Sequence, residues 1–308
     1  MDKRMKVIID TDIGDDIDDA FALLYAMKLG FDIIGITTVF RNTLQRAKMT
    51  KKLLSDYGCG YESVKVYAGC GTPLASEDME YPTLPCYTPE AEEYEPDGTD
   101  ENEAIDFLIE SARKYGKDLT VIALGPFTNM AKAAMRDPDA MNSVSRTVIM
   151  GGAFYKQYAD WNVACDPEAA KIFFESVKNI HAMGADVTHK LMITEKDDAL
   201  IEGYSKDNKA ATYAKEMYKL WKRDSGKKLG VLHDPLAIYY AFDSSVTLME
   251  RACVEVITDG PARAMTLNVD AYSKSWMNPY YKEKSPTLTV AKEVNRELII
   301  SDFMECFK

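Results

Sequence analysis

Residues 6–29 read KVIIDTDIGDDIDDAFALLYAMKL, and this stretch carries the strongest fold signal in the chain. Residues 7–9 are apolar and β-branched, which predicts a buried strand over 6–10, and residues 18–29 repeat apolar side chains with the period of a helix. A short acidic loop joins the two. A strand, a polar loop and a helix in this order are typical of the opening of an α/β fold.

The same alternation continues along the chain. Strands are predicted at 32–39, 63–67, 119–124 and 147–150, with helices at 44–57, 101–115 and 128–135 between them. Residues 190–228 are expected to be mainly helical, and later strands are expected at 254–257, 264–269 and 287–291. Residues 76–100 have no clear period and are interpreted as a long surface loop. We expect one α/β domain over residues 1–308, with a mostly parallel central sheet flanked by helices.

Composition and charge restrict the class of partner. The net charge of −12 argues against nucleic acid, because phosphate contacts need clustered lysine and arginine. The first apolar run is too short for a signal sequence or a membrane span, so a cytoplasmic protein without membrane contact is expected. The six cysteines form no CxxC pair and are expected to be reduced thiols.

Six carboxylates lie within ten residues after the first strand: Asp10, Asp12, Asp15, Asp16, Asp18 and Asp19. In an open parallel sheet, ligands bind beyond the carboxyl ends of the strands, which is where this loop falls. One or two of the aspartates could cap the following helix. Six exceed that need, and hard divalent cations prefer oxygen ligands, so the loop predicts a metal site.

Two known types of acidic loop can be compared with this one. An EF-hand requires glycine at its sixth position and a carboxylate at its twelfth, where this chain has Asp15 and Phe21, so an EF-hand is excluded. A haloacid-dehalogenase-type phosphatase also has Asp-x-Asp after its first strand, with the first aspartate, here Asp10, as nucleophile. That family usually has Thr or Val where this chain has Gly14, and it is kept as an alternative.

A closer resemblance extends over nearly the whole chain. The loop is similar to the signature Asp-x-Asp-Pro-Gly-x-Asp-Asp-Ala of the inosine-uridine-preferring nucleoside hydrolase family, with two additional residues before Asp18-Asp19-Ala20. Further landmarks of that family follow in the same order: Thr37-Thr38-Val39 with Asn42, Gly125-Pro126-Phe127-Thr128-Asn129, Met150-Gly151-Gly152, Asp160-Trp161-Asn162, Asp166-Pro167-Glu168-Ala169 and His233-Asp234-Pro235-Leu236-Ala237.

The resemblance implies a fold, a reaction and a set of site residues. It implies hydrolysis of the N-glycosidic bond of a ribonucleoside to ribose and free base by a calcium-bound water, with Asp12 as the base, and His233 as the acid that protonates the leaving base. The implied Ca²⁺ ligands are Asp12, Asp19, the Leu124 carbonyl and Asp234. The implied ribose contacts are Asp18, Asn42, Asp160 and Asn162. A homo-oligomer, either a dimer or a tetramer, is also implied.

Taken without the family, two of these motifs have simpler interpretations. Asp234-Pro235 and Asp166-Pro167 match a helix N-cap followed by proline in the first turn. His181 and His189 match no motif and are expected to be structural or exposed.

The chain departs from the family at several positions. The family usually has Glu-Phe-Asn at Asp160-Trp161-Asn162, and the shorter aspartate reaches less far toward the ribose. The asparagine that follows Met-Gly-Gly in the family is missing, with Lys156 or Gln157 as its replacement, and residues 76–100 contain no His-Gly. Base preference therefore stays open, as does a ligand role for Asp15 or Asp16. A non-catalytic homologue that binds ribose or nucleoside is a further alternative.

Overall fold

The computed structural model describes residues 4–75, 82–204, 207–269 and 287–308. Its strands are β1 (Lys6–Thr11), β2 (Asp32–Thr38), β3 (Lys65–Ala68), β4 (Leu119–Ala123), β5 (Arg146–Met150), β6 (Ile180–Met183), β7 (Thr247–Ala252), β8 (Val254–Val256), β9 (Thr266–Asn268) and β10 (Leu288–Val294).

The central sheet has the strand order β3-β2-β1-β4-β5-β6-β10-β7. Every neighbouring pair is parallel except β10 and β7, which are antiparallel at one edge. β1 lies near the middle, and its residue Asp10 pairs with Thr37 of β2 and Ala123 of β4. Strands β8 and β9 form a separate antiparallel pair. The predicted α/β class with a mostly parallel sheet is confirmed.

Helices cover both faces of the sheet. They are α1 (Asp18–Lys28), α2 (Thr43–Tyr57), α3 (Glu101–Tyr115), α4 (Thr128–Arg136), α5 (Pro138–Ser143), α6 (Trp161–Cys165), α7 (Pro167–Ser176), α8 (Ala185–Thr188), α9 (Glu195–Gly203), α10 (Lys209–Ser225), α11 (His233–Phe242) and α12 (Arg296–Phe303). No helix in these described ranges has the length and apolar character needed to cross a membrane.

Each face of the sheet buries its own apolar core. On one side, Phe21 of α1 packs against Tyr218 of α10 and Phe303 of α12. On the other side, Phe127, which precedes α4, stacks on Phe173 of α7. Because both faces are covered, the strands are nearly continuously apolar, as in other parallel sheets. The polar ends of the strands are therefore the places where charged side chains collect.

Several predicted elements differ from the observed ones. Ser63 ends a short 3-10 turn, and β3 starts two residues later at Lys65. Strands β6 and β7 were not predicted, since β6 is only four residues long and β7 is half exposed at the sheet edge. The last three predicted strands are present as β8, β9 and β10 with shifted ends. Residues 76–81 of the predicted long loop lie outside the described residues.

Candidate active site

A cavity of about 620 Å³ opens at the carboxyl edge of the sheet. Loops that follow β1, β2, β4, β5 and β6 reach it, together with the start of α11. Its walls contain most of the residues expected at the site and several that were not. They are Asp12, Asp15, Asp16, Asp18, Asp19, Arg41, Pro85, Leu124, Met150, Tyr158, Ala159, Asp160, Trp161, Asn162, Ala185, His189, Lys227, His233 and Asp234.

The acidic loop after β1 folds around the side chain of Asp19. The Asp19 carboxylate accepts a hydrogen bond from the Thr11 hydroxyl and another from the backbone N–H of Asp12 at 3.2 Å. The Thr11 hydroxyl in turn accepts from the N–H of Ile13 at 3.2 Å. Gly14 has φ +120°, a value that side-chain-bearing residues rarely adopt, so glycine permits the turn that brings Asp12 back toward α1. The loop thus fixes Asp12 and Asp19 side by side.

Three carboxylates converge at the centre of the cavity. Asp18 and Asp19 of α1 and Asp234 of α11 offer oxygens that all lie within 4.8 Å of one another. Asp234 is buried and occupies the first turn of α11, but its side chain does not cap that helix, so the capping interpretation of Asp234 is wrong. Asp12 lines the same cavity. The structure thus brings Asp234 together with Asp12, Asp18 and Asp19, from which it lies far apart along the chain.

The electrostatics of this cluster favour a bound cation. Burial, followed by repulsion from neighbouring aspartates, raises the pKa values of Asp12, Asp18 and Asp234 well above the usual range. Burial also raises the pKa of Asp19, to about 6, although the bond from Thr11 opposes the shift. A divalent cation among these oxygens would offset both the desolvation and the repulsion. The donor set therefore fits a hard metal ion.

Asp10, the nucleophile of the phosphatase alternative, lies outside the cavity walls. It is fully buried at the end of β1, where its Oδ1 accepts from the Thr37 hydroxyl at 2.5 Å and from Asn129 Nδ2 at 2.7 Å. Asn129 also donates to the Thr38 carbonyl at 3.0 Å. Through these contacts, Asp10 and the Asn129 of the Gly125–Asn129 motif connect β1, β2 and α4. Asp10 is thus a structural residue, and the phosphatase alternative loses its nucleophile.

The Leu124 carbonyl lies beside the amide of Asn162. Asn162 Nδ2 donates to this carbonyl and to the Met150 carbonyl, the second at 3.1 Å. The next residue, Gly125, has to be small: a Cβ added there would lie 2.8 Å from Asp12 Oδ1. The loop after β4 can therefore approach Asp12 closely, which places the expected metal-ligating carbonyl at the cavity wall.

Asp160 and Asn42 act as helix caps. Asp160 Oδ1 accepts from the N–H of Gly152 at 2.9 Å and from that of Val163 at 3.4 Å, and burial raises its pKa to about 6. Asp160 nevertheless lines the cavity. Asn42 caps α2 by accepting from the N–H of Gln45 at 3.3 Å, and it is outside the set of cavity-lining residues found in the described ranges. A direct ribose contact by Asn42 is therefore the least supported of the predicted roles.

The two additional loop residues have cationic partners of their own. Asp15 pairs with Arg46 at 2.7 Å, and this arginine is completely buried while it also donates to the carbonyls of Asp12 and Ile13. Asp16 lies 3.8 Å from Lys227. Asp15 and Asp16 are absent from the close carboxylate cluster in the described part of the chain. The insertion is thus held by its own charge pairs.

His233 lines the cavity next to Asp234 and is joined there by a second histidine. Its Nδ1 lies 2.6 Å from the Thr188 hydroxyl, and its ring centroid is 4.9 Å from that of His189. Burial, and then the neighbouring His189, lower the pKa of His233 to about 3. His189 follows β6 and is exposed, as expected, and it also lines the cavity. The position of His189 a few residues after the apolar run of β6 is the sequence signal that could have identified it as a cavity residue.

The remaining histidine and the second aspartate–proline motif are structural. His181 lies on β6, where its Nδ1 is 2.6 Å from the Tyr240 hydroxyl. Asp166 caps α7 and also accepts from Leu74 N–H at 2.9 Å and from the Thr128 hydroxyl at 2.6 Å. Both positions agree with the simpler interpretation of these residues. The described cysteines, Cys59, Cys70, Cys86, Cys165, Cys253 and Cys306, are free thiols.

An α/β protein with clustered carboxylates at the carboxyl edge of a parallel sheet has the architecture of a metal-assisted hydrolase. The chain belongs to the inosine-uridine preferring nucleoside hydrolase family, whose sequence model matches residues 7–301. It is therefore an N-glycosyl hydrolase by family.

Individual relatives match over almost the full length. The chain is 31% identical to uridine nucleosidase 1 of Arabidopsis thaliana, over 98% of this chain and 94% of that protein. A solved plant nucleoside hydrolase, PpNRh1, superposes with a TM-score of 0.81 at 30% identity and covers 99% of both chains. A purine-preferring ribonucleoside hydrolase from Gardnerella vaginalis superposes with a TM-score of 0.77 at 26% identity, over 98% of both chains. The similarity thus includes every element that carries the cavity.

Proposed function

We propose that the protein hydrolyses ribonucleosides with the help of one Ca²⁺ ion held by Asp12, Asp19, Asp234 and the Leu124 carbonyl. The observation that carries this proposal is the convergence of buried carboxylate oxygens of Asp18, Asp19 and Asp234 within 4.8 Å, with Asp12 on the wall of the same cavity. All of these donors are oxygens, which suits calcium better than zinc or copper. When bound, the ion lowers the pKa of a water and orients hydroxyl groups of the sugar.

The residues of the chain have separate tasks in this proposal. Asp12 accepts one proton of the attacking water, whose oxygen joins C1′ of the ribose. The C1′–N bond breaks, and its electron pair leaves with the nucleobase. Asp18, Asp160 and Asn162, which line the cavity, hold the ribose hydroxyls, and Asn42, which caps α2, is the fourth member of the proposed set. Contacts of this kind stabilise the positive charge that develops on the sugar.

His233 supplies the proton that the departing base requires. The Thr188 hydroxyl is 2.6 Å from Nδ1, and if it donates there, the proton of the neutral imidazole resides on Nε2. Burial keeps the pKa of His233 far below neutrality, so the neutral ring is the form present at pH 7. Because the neutral ring is a very weak acid, His233 acts as the general acid only after it takes up a proton in the substrate complex, and the negative charge that develops on the departing base favours this protonated form.

The named relatives act on different bases. Uridine is named for the Arabidopsis protein and purine ribonucleosides for the Gardnerella enzyme, so both base classes belong in a substrate screen. We further propose a cytoplasmic enzyme that forms a homo-oligomer, a dimer or a tetramer, as the family resemblance implies. Neither nucleic acid nor a membrane is proposed as a partner, because the cavity has the size for a small molecule and seven of its described lining residues are aspartates.

A panel of nucleosides tests this function directly. Inosine, uridine, adenosine, guanosine and cytidine are each incubated with the Ca²⁺-loaded protein, and free base and reducing sugar are measured together. Equal release of both from at least one nucleoside supports the proposal. The alternative, a homologue that binds nucleosides without turnover, is motivated by Asp160, whose Oδ1 already accepts two backbone N–H groups. Saturable nucleoside binding without release of base would establish that alternative.

A further inference from the structure

Arg41 is held at the cavity by an unusual stretch of backbone. It follows β2, and both Phe40 and Arg41 have positive φ values, +69° and +57°, which non-glycine residues rarely adopt. Two hydrogen bonds of 2.7 Å, from Phe40 N–H to the Cys70 carbonyl and from Arg41 N–H to the Gly71 carbonyl, maintain this conformation. Strained backbone of this kind is concentrated at functional sites. It directs the Arg41 side chain to the cavity wall.

The guanidinium of Arg41 has hydrogen-bonding capacity that the described residues do not use. Its Nε is buried without a hydrogen-bond partner in these ranges, while the side chain as a whole keeps 31% of its surface exposed. The closest carboxylate, that of Asp15, is 4.0 Å from Nη1 and is already bound at 2.7 Å by Arg46. The buried Nε is out of reach of a ligand, so the remaining donors of this partly exposed guanidinium are the ones that can receive acceptor atoms from a ligand in the cavity.

Aromatic rings flank the same guanidinium. Its central carbon lies 4.9 Å from the Phe40 ring centroid and 5.9 Å from that of Trp161. The Trp161 side chain lines the cavity and is 55% exposed, although large apolar groups are normally buried. Arg41 and Trp161 together therefore place planar apolar area and hydrogen-bond donors close to each other at the cavity wall. A planar heterocycle fits such a surface better than the puckered ribose does.

The negative charge of the cavity limits the kind of hydrogen-bond acceptor that Arg41 can bind. Among the described residues, seven carboxylates and only two permanent cations, Arg41 and Lys227, line the cavity. A phosphate on the substrate would be repelled by this wall, so the acceptor has to be neutral before the reaction. The exocyclic oxygen and ring nitrogen of an oxo-substituted nucleobase meet this condition, and an arginine fork can bind such a pair bidentately.

We propose that Arg41 is a specificity-determining residue that binds the exocyclic oxygen of an oxo-substituted nucleobase, with Trp161 providing the stacking surface. This inference rests on the proposed nucleoside hydrolysis. When the C1′–N bond breaks, the electron pair passes to the base and is delocalised onto that oxygen, beside the guanidinium. Arg41 thus favours oxo-purines such as hypoxanthine, whose exocyclic oxygen and N7 both accept hydrogen bonds, and it stabilises their departure in addition to binding them.

Two substrates that differ only in the oxygen test the proposal. Inosine carries the exocyclic oxygen and purine riboside lacks it. We expect Arg41→Met to lower kcat/KM for inosine about tenfold to hundredfold, the range typical of a bidentate base contact, and to change that for purine riboside less than about threefold. Arg41→Lys, which keeps the charge but loses the fork, should be intermediate. An equal fall on both substrates would overturn the proposal and assign Arg41 to the ribose or to the loop.

A binding measurement separates this inference from the hydrolysis itself. Calorimetric titration of the Ca²⁺-loaded protein with hypoxanthine should give a Kd that Arg41→Met raises about tenfold or more, whether or not the protein turns over nucleosides. Lys227→Met is the matched control, because it removes the other cavity cation and should leave the ratio of inosine to purine riboside unchanged. Unchanged hypoxanthine binding in Arg41→Met, or an equal change of the ratio in Lys227→Met, would refute a specific contact.

Discussion

The two ends of the central sheet carry opposite charges and satisfy them in different ways. At the amino end, a second cavity of about 500 Å³ is lined by Arg4, Lys6, Lys117, Arg146 and His181, among others. Lys6 pairs with Asp32, and Lys117 and Arg146 each donate at 2.8 Å to a backbone carbonyl. These charged groups have partners within the protein and act as part of its framework.

At the carboxyl end the balance is different. Only Asp15 and Asp16 of the acidic loop form ion pairs in the described structure, while Asp12, Asp18, Asp19 and Asp234 are buried against one another. Buried charge without compensation is costly, and it persists where a ligand or a reaction uses it. We therefore assign the function to the carboxyl end of the sheet, where the buried charges have no compensating partners within the described structure. Substitutions and metal removal at the carboxyl end should therefore change activity. Substitutions at the amino end should change stability alone.

Removal of the metal should have the largest effect. We expect chelation to abolish release of free base and to lower Tm by about 5–10 °C, since a ligand at about a hundred times its Kd stabilises a folded protein by roughly 3 kcal/mol. Added Ca²⁺ should restore both values. Metal analysis, base release and thermal melting measure this. A protein purified without metal whose Tm ignores added Ca²⁺ would contradict the site.

Asp12→Asn should lower kcat by roughly 10²–10⁴-fold, because it removes both the base and a charged metal ligand. The Tm of the metal-free variant should not fall, since one member of a mutually repelling cluster becomes neutral. Turnover and melting curves with and without Ca²⁺ distinguish these effects. A metal-free variant that melts well below the metal-free parent would show that Asp12 is structural instead.

His233→Ala should act differently on two kinds of leaving group. We expect kcat for a natural nucleoside to fall roughly 10²–10⁴-fold, the usual contribution of general acid catalysis, and kcat for p-nitrophenyl riboside to fall much less, because p-nitrophenolate departs without a proton. Both rates are measured at saturating substrate so that weaker binding is not mistaken for slower chemistry. An equal loss on both would assign His233 to the positioning of Asp234.

Asp15→Asn should affect stability more than chemistry. It leaves the completely buried Arg46 without its carboxylate, and loss of one member of a buried pair is strongly destabilising. Because Arg46 keeps its bonds to three backbone carbonyls, we expect a loss of about 2–3 kcal/mol of unfolding free energy and at most about a tenfold fall in kcat. Denaturant unfolding and turnover measure the two effects. If kcat fell more than in Asp12→Asn, the alignment through the two additional residues would be wrong.

At the amino end, His181 should produce a small, purely structural pH effect. Burial, followed by the neighbouring Arg146, lowers its pKa to about 4 in the folded protein, against about 6.5 in the unfolded chain. The unfolded state therefore binds more protons below pH 6.5, so His181 reduces stability progressively as the pH falls from about 6.5 to 4. Between pH 7 and pH 5, we expect the Tm of His181→Gln to fall by about 2–4 °C less than the Tm of the parent protein. We expect kcat to be unchanged. An identical fall in both proteins would contradict this assignment.

The local motifs were the most predictable part of the site. The acidic loop, the Gly125–Asn129 segment and His233-Asp234 were all recognised along the chain, because close approach and metal ligation restrict residue type at adjacent positions. The roles within these motifs were less predictable. Asp10 and Asn129 proved to be partners that join strands, although Asp10 belongs to the same acidic run as Asp12.

The sequence by itself determined the α/β class, the position of the acidic loop after the first strand and the identity of the candidate metal ligands. The first two properties depend on periodicity and on chemistry within a few consecutive residues, whereas the candidate metal ligands were implied by the family resemblance. Only the tertiary structure decided that Asp15 pairs with Arg46, that Asn42 and Asp160 cap helices, and that His189, Arg41 and Trp161 line the cavity. Apart from the local helix caps, these residues lie tens of residues from their partners along the chain, and they meet because parallel strands bring their carboxyl ends to one edge of the sheet.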